Sequence, residues 1–180
     1  MASKKHYIIT SLTLGAIAAG SAALIGVTNL ITKDQIAKNE KNKIKAGICE
    51  IFGKSATISS DFALKDYKYS QHAYEVESDD PAKDVALRTT GSNMYGKISL
   101  IIGFRLGEVE GEEQFAFVGL YVVTDEQTYA STLEENYIGP LNNGEHDLDD
   151  VSCGATYGAK LVRDMVNEAK EVANKELKKG

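Results

Sequence analysis

Ile98-Ser99-Leu100-Ile101-Ile102-Gly103-Phe104 and Phe115-Ala116-Phe117-Val118-Gly119-Leu120-Tyr121-Val122-Val123-Thr124 decide the fold class. Both runs are rich in β-branched and aromatic residues and are bounded by turn residues, which reads as a pair of buried strands. Between them Glu108 to Glu113 is a polar turn containing Gly111. A connection this short makes the pair an antiparallel hairpin, because parallel strands need a long crossover. Upstream, Ile58, Phe62, Leu64, Tyr67, Tyr69, Tyr74 and Val76 approach strand alternation between Ser55 and Ser78. Asp79, Asp80 and Pro81 interrupt this pattern, and Thr89 to Lys97, with Gly91 and Gly96, reads as a loop. Downstream, Thr132 to Tyr137 reads as a short helix, and Gly139, Pro140, Asn142, Asn143 and Gly144 as a loop. Ala159 to Leu177 is an amphipathic helix with Leu161, Val162, Met165, Val166, Ala169, Val172 and Ala173 inward. No βαβ alternation and no internal repeat is present. The expected class is α+β, an antiparallel sheet with flanking helices.

The N-terminal part is of a different kind. From Tyr7 to Thr32, 26 residues carry no formal charge. As a helix they extend roughly 39 Å, which exceeds a hydrocarbon core of about 30 Å. The alternative reading is a cleaved signal peptide, whose apolar region is typically about 7–15 residues. Lys33 to Phe52 keeps helical periodicity, with Ile36, Ala37, Ile44, Ile48 and Ile51 on one stripe and Gly53 as its C-cap. The expected organisation is a terminus over 1–6, a transmembrane helix over 7–32, a stalk helix over 33–54 and a folded domain over 55–180.

Charge narrows the partners. Six Lys between Lys33 and Lys54 outweigh Asp34, Glu40 and Glu50, a collar suited to anionic lipid headgroups. Lys4 and Lys5 add two further positive charges, so with a total of −6 residues 55–180 carry −11. An acidic body of this kind excludes nucleic acid, which requires a basic face. Lysines flank both ends of the apolar run, so charge alone leaves its orientation open. Cys49 and Cys153 have no metal-ligand spacing, and they pair only if the fold brings them together. His6, His72 and His146 are scattered, and Glu145, Asp147, Asp149 and Asp150 read as a solvated acidic loop.

Asp150-Val151-Ser152-Cys153-Gly154-Ala155-Thr156 carries the chemistry. Gly154 allows a positive φ or a close backbone approach, Ala155 adds little bulk, and Thr156 offers a hydroxyl near a helix start. Free N–H groups and the helix dipole there favour a phosphate, held ionically or as an ester of the Thr156 oxygen. Asp150 caps the turn or is read by a modifying enzyme. An ordinary strand-to-helix turn gives the same tripeptide.

The apolar helix, the Lys/Glu/Asn-rich helix after it and this motif before the last helix together resemble the FMN-binding domain family. The likeness is greatest to the G component of Rnf-type ion-translocating oxidoreductases; the C component of Na⁺-translocating NADH:quinone reductase is a relative. The junction Thr28-Asn29-Leu30-Ile31-Thr32-Lys33-Asp34-Gln35-Ile36-Ala37-Lys38-Asn39-Glu40 is similar to that family's, as is the turn Gly91-Ser92-Asn93-Met94-Tyr95-Gly96-Lys97-Ile98. The resemblance implies FMN attached through its phosphate to Thr156 by a flavin transferase. It also implies electron transfer among other membrane subunits of a complex coupled to Na⁺ or H⁺ movement. The N-terminus is then cytoplasmic and the flavin domain extracytoplasmic, on a single-pass protein of the cell membrane. Cofactor contacts are implied for Asp150, Cys153, Gly154, Ala155 and Tyr157, the last either on the flavin ring or in the core. The family's Glu-Thr-Pro-Gly-Leu-Gly loop is absent; in Glu126-Gln127-Thr128-Tyr129-Ala130-Ser131 only Glu126 and Thr128 correspond. Cys153 stands where the family has Ser, and Gly158 and Ala159 stand near its Ser or Thr. Two other readings stay open: an anchored flavoprotein acting alone, and an assembly subunit that has lost its flavin.

Overall fold

The computed structural model describes residues 4–109 and 111–178, so Glu110 of the expected turn and residues 1–3 of the expected N-terminal segment lie outside it. The chain divides into two units, residues 1–42 and 43–180. The described residues of the first unit lie within helix α1 (Lys4–Phe52). It holds one segment, Ile9–Asn29, that is long and apolar enough to cross a membrane, and none of that segment is buried against protein. Ile9, Leu12, Leu14, Ile17, Leu24 and Ile25 are all exposed. In water such a surface is unfavourable by about 25 cal/mol per Å²; in lipid it is the expected one.

The second unit is built on a five-stranded sheet of order β1-β2-β3-β4-β5, every neighbouring pair antiparallel. The strands are β1 (Thr57–Ala63), β2 (Ser70–Glu77), β3 (Asp84–Asn93), β4 (Gly96–Val109) and β5 (Glu112–Asp125). The hairpin read from sequence is β4–β5, with strands longer than expected: β4 runs to Val109 and β5 begins at Glu112. The fold is α+β, as expected.

Both sheet faces are covered, which explains why the central strands read as continuous apolar runs. On one face Ile98, Leu100, Ile102 and Phe104 of β4 pack with Val85 and Leu87 of β3 and with Leu161, Val162, Met165, Val166 and Ala169 of α4 (Thr156–Val172). On the other, Ile101 and Ala86 meet Ile44, Ile48 and Phe52 from the last turns of α1. Helix α1 ends at Gly53, whose φ of 105° and N–H bond to the Cys49 carbonyl (3.1 Å) form the expected C-cap. Cys49 and Cys153 are both free thiols.

Two stretches differ from expectation. Thr89 to Asn93, expected as loop, continues β3, with Gly91 opposite Ile98. The two glycines suggest a break, but Gly91 serves packing: a Cβ there would meet Leu161 Cδ1 at 2.8 Å and Met165 Sδ at 2.9 Å. Gly139–Asn142, expected as loop, forms the short helix α3, and Ala130–Leu133 forms α2, with a π-helical turn at Glu134–Ile138 between them. Pro140 at the first turn of α3 is compatible with helix because no intrahelical donor is needed there. Asn142 explains the segment's position. Its Oδ1 accepts the Leu120 N–H and its Nδ2 donates to the Leu120 carbonyl, each at 2.8 Å. Backbone groups of the edge strand β5 are thereby satisfied. The C-terminal helix starts three residues earlier than expected, at Thr156, and ends in a π-helical turn, Ala173–Leu177.

Candidate functional site

Thr156 is the first residue of α4. The chain reaches it through Gly154, whose φ of 83° favours glycine, and Ala155, which makes no side-chain cap. The loop is held from within. The Asp150 carboxylate accepts the Ser152 N–H (3.2 Å), and Asn136 Nδ2 donates to the Cys153 carbonyl (3.2 Å). Cys153 is buried in the main core. Ala159 N–H bonds to the Ala155 carbonyl (3.0 Å), the first turn of the helix ladder. The N–H groups of Thr156, Tyr157 and Gly158 precede that ladder and have no intrahelical acceptor.

These residues line a cleft of about 270 Å³ with Tyr95, Gln127, Tyr129 and Gly158. The walls come from three places in the chain. Tyr95 sits in the turn between β3 and β4, Gln127 and Tyr129 follow β5, and the rest belongs to the start of α4. The β3–β4 turn is fixed by Asn93, whose Oδ1 accepts the Tyr95 N–H (2.8 Å) while its Nδ2 donates to the Tyr157 carbonyl (3.1 Å). Gly96, with φ 139°, lets the chain behind β5 cross close by; a Cβ there would strike the Glu126 carbonyl oxygen. The Thr128 N–H then bonds to the Tyr95 carbonyl at 2.9 Å.

Three tyrosine rings crowd the cleft. The Tyr95 centroid lies 5.6 Å from that of Tyr129, edge-on, and 5.6 Å from that of Tyr157, tilted. Tyr129 and Tyr157 are half exposed, and Lys160 Nζ lies 5.9 Å from the Tyr157 ring. Rings held this way offer apolar faces to a planar guest. Gly158 is packed closely against the wall. A Cβ at this position would lie 2.7 Å from Gln127 Oε1 and 3.0 Å from Leu133 Cδ2. Gln127 is 8% exposed, and its Nε2 is buried without a hydrogen-bond partner. Such an unmade donor costs about 1–3 kcal/mol. Carboxyl groups close behind the cleft are perturbed. Burial raises the Asp125 carboxyl, opposed by the Gln127 N–H it accepts (2.8 Å). Burial, then the charges of Asp125 and Glu50, raises that of Glu134.

Of the residues singled out from sequence, Gly154, Ala155, Thr156 and Tyr157 line the cleft. Asp150 and Cys153 shape the loop behind it. Glu126 and Thr128 lie on the connection after β5, exposed, outside the lining; the Thr128 hydroxyl is bonded to the Tyr95 carbonyl (3.2 Å). Tyr95, Gln127, Tyr129 and Gly158 were not among the sequence-derived contacts. The Asn93-Met94-Tyr95-Gly96 turn signal was legible for Tyr95, but nothing local ties Gln127 to Gly158, thirty-one positions away.

A chain with one apolar N-terminal helix and an α+β unit bearing an aromatic, helix-headed cleft fits a membrane-anchored binding protein. Residues 1–51 match the family model described as RnfG N-terminal region. The match supports a subunit of an Rnf complex, hence a role in a redox complex. The search of curated proteins found no match.

Proposed function

We propose that the protein is the flavin-carrying subunit of an Rnf-type ion-translocating ferredoxin:NAD oxidoreductase complex, with FMN joined by a phosphoester to Thr156. The observation that carries this reading is the place of Thr156. It opens a 17-residue helix, lines the cleft, and stands beside N–H groups that the helix leaves unpaired. The RnfG N-terminal region and the apolar Ile9–Asn29 segment support the setting, an anchored protein among other membrane subunits.

The residues present fit a phosphorylated planar cofactor on two independent counts. Gln127 has a buried donor without an acceptor, and the tyrosines form apolar walls. When bound, FMN supplies electron transfer in one- or two-electron steps. The chain contributes attachment and environment. Thr156 provides the ester oxygen, and its free N–H neighbours stabilise the phosphoryl charge. Gly154 and Ala155 let that group approach the backbone, while Asp150 and Cys153 hold the loop that presents them. Tyr157, Tyr95 and Tyr129 exclude water from one side of the ring. Glu126 and Thr128, on the connection that carries Gln127, serve by holding that wall to the β3–β4 turn. Attachment requires a flavin transferase acting on the folded loop, which Ser152 and Gly154, both exposed, leave accessible. The flavin-bearing unit then lies outside the cytoplasm and the N-terminus within it.

The test uses the full chain made together with a flavin transferase. Thr156→Ala should abolish the flavin fluorescence that the wild-type band shows in a denaturing gel, and Thr156→Ser should retain much of it. Equal fluorescence in wild type and Thr156→Ala would overturn the attachment site.

A further inference from the structure

The Gln127 side-chain Nε2 makes no hydrogen bond among the described residues, yet the residue is buried at the cleft. Its backbone N–H already bonds to the Asp125 carboxylate at 2.8 Å, so the connection after β5 is held without the carboxamide. The carboxamide oxygen sits over Gly158, at 2.7 Å from where a Cβ would be, so a large residue at 127 and none at 158 form a matched pair. An apolar side chain of the same length would fill that space without burying a donor. Gln127 instead places Nε2 in the protein, 8% exposed overall, with no acceptor. Gly158 N–H is one of the donors at the head of α4 that the helix ladder leaves without an acceptor. Helix N–H donors and a buried amide donor therefore belong to residues that line one cleft together with Thr156. Donors left without acceptors are complementary to a group made of acceptors, and a phosphoryl group is such a group.

We infer that Gln127 is a phosphoryl-contact residue, its Nε2–H donating to a non-bridging oxygen of the phosphoester on Thr156. This rests on the flavin reading above. Gly158 is then what admits the contact, because any side chain there displaces the carboxamide. The contact fixes the first atoms of the cofactor against α4 and makes occupancy of the cleft stabilising, since the same donor is unsatisfied without it. A carboxamide is neutral, so it adds a directed donor without altering the charge of the site.

The experiment compares wild type with Gln127→Met, a side chain of similar length and no donor, in the full chain purified in mild detergent. Each is made with and without flavin transferase, and Thr156→Ala provides the flavin-free baseline. Without the transferase, Gln127→Met should melt at the wild-type temperature or above it. With it, the flavin-dependent rise in Tm should shrink by about 3–6 °C, and the ³¹P resonance of the phosphodiester should move. A change in Tm that is the same in both forms, with the ³¹P resonance in place, would overturn the contact and leave Gln127 a packing residue. An unmodified wild-type Thr156 would overturn the flavin reading and this inference with it, a result distinguishable by fluorescence before any melting is done.

Discussion

Glu134 shows how residue-level electrostatics bear on the cleft. Burial, with Asp125 and Glu50 nearby, holds its carboxyl above the ordinary value of about 4.3. A carboxyl raised in the folded state favours folding most when protonated. Its contribution is full below the unfolded value and is lost as pH rises through the folded one. Glu134→Gln should therefore raise Tm near neutrality, and the gain should vanish near pH 3.5, where the wild-type side chain is itself neutral. Because the carboxylate reaches solvent, the shift will be small; a melting series across pH reads it, and a gain independent of pH would contradict the cause given. At this scale the sequence revealed Thr156 and its glycine because their chemistry is local. It hid Gln127, whose meaning depends on Gly158 reaching it from another element, and it hid Tyr129 for the same reason.

Among the elements, α4 is the one on which the site depends, and it is fixed by more than its apolar stripe. Glu168 accepts three backbone N–H groups from the start of β2, those of Lys68 (3.0 Å), Tyr69 (2.8 Å) and Ser70 (2.8 Å). These donors lie where the chain enters the sheet, before any ladder partner is available for all of them. Charged acceptors of backbone N–H are worth more than neutral ones. Glu168→Ala should cost about 2–4 kcal/mol of stability by denaturant titration, more than one exposed ion pair provides; Glu168→Gln should cost less. A loss under about 0.5 kcal/mol would show that β2 and α4 dock by apolar contact alone. The helix itself was legible in the 3.6-residue period of Leu161, Val162, Met165, Val166 and Ala169. The strands β4 and β5 were legible in their apolar runs. Thr89 to Asn93 and Gly139 to Asn142 were not, because Gly and Pro mark turns locally, whereas here packing against Leu161 and the Asn142 bonds to Leu120 decide the conformation.

At the scale of the whole molecule, two units of opposite character share one chain. In the first unit Ile9–Asn29 exposes an apolar helical surface suited to lipid, and the described residues of the second unit bury both faces of a sheet between helices. The RnfG N-terminal region accounts for residues 1–51 and supports assembly within an Rnf complex. The cleft at Thr156, in the second unit, is where the proposed cofactor gives that assembly its chemistry. The most direct measurement is the intact mass of the peptide containing Thr156, taken from protein purified from membranes that also contain a flavin transferase. The account predicts a peptide heavier by one FMN less one water, with fragmentation placing the addition on Thr156. A peptide of unmodified mass, or a flavin located on any other residue, would contradict it.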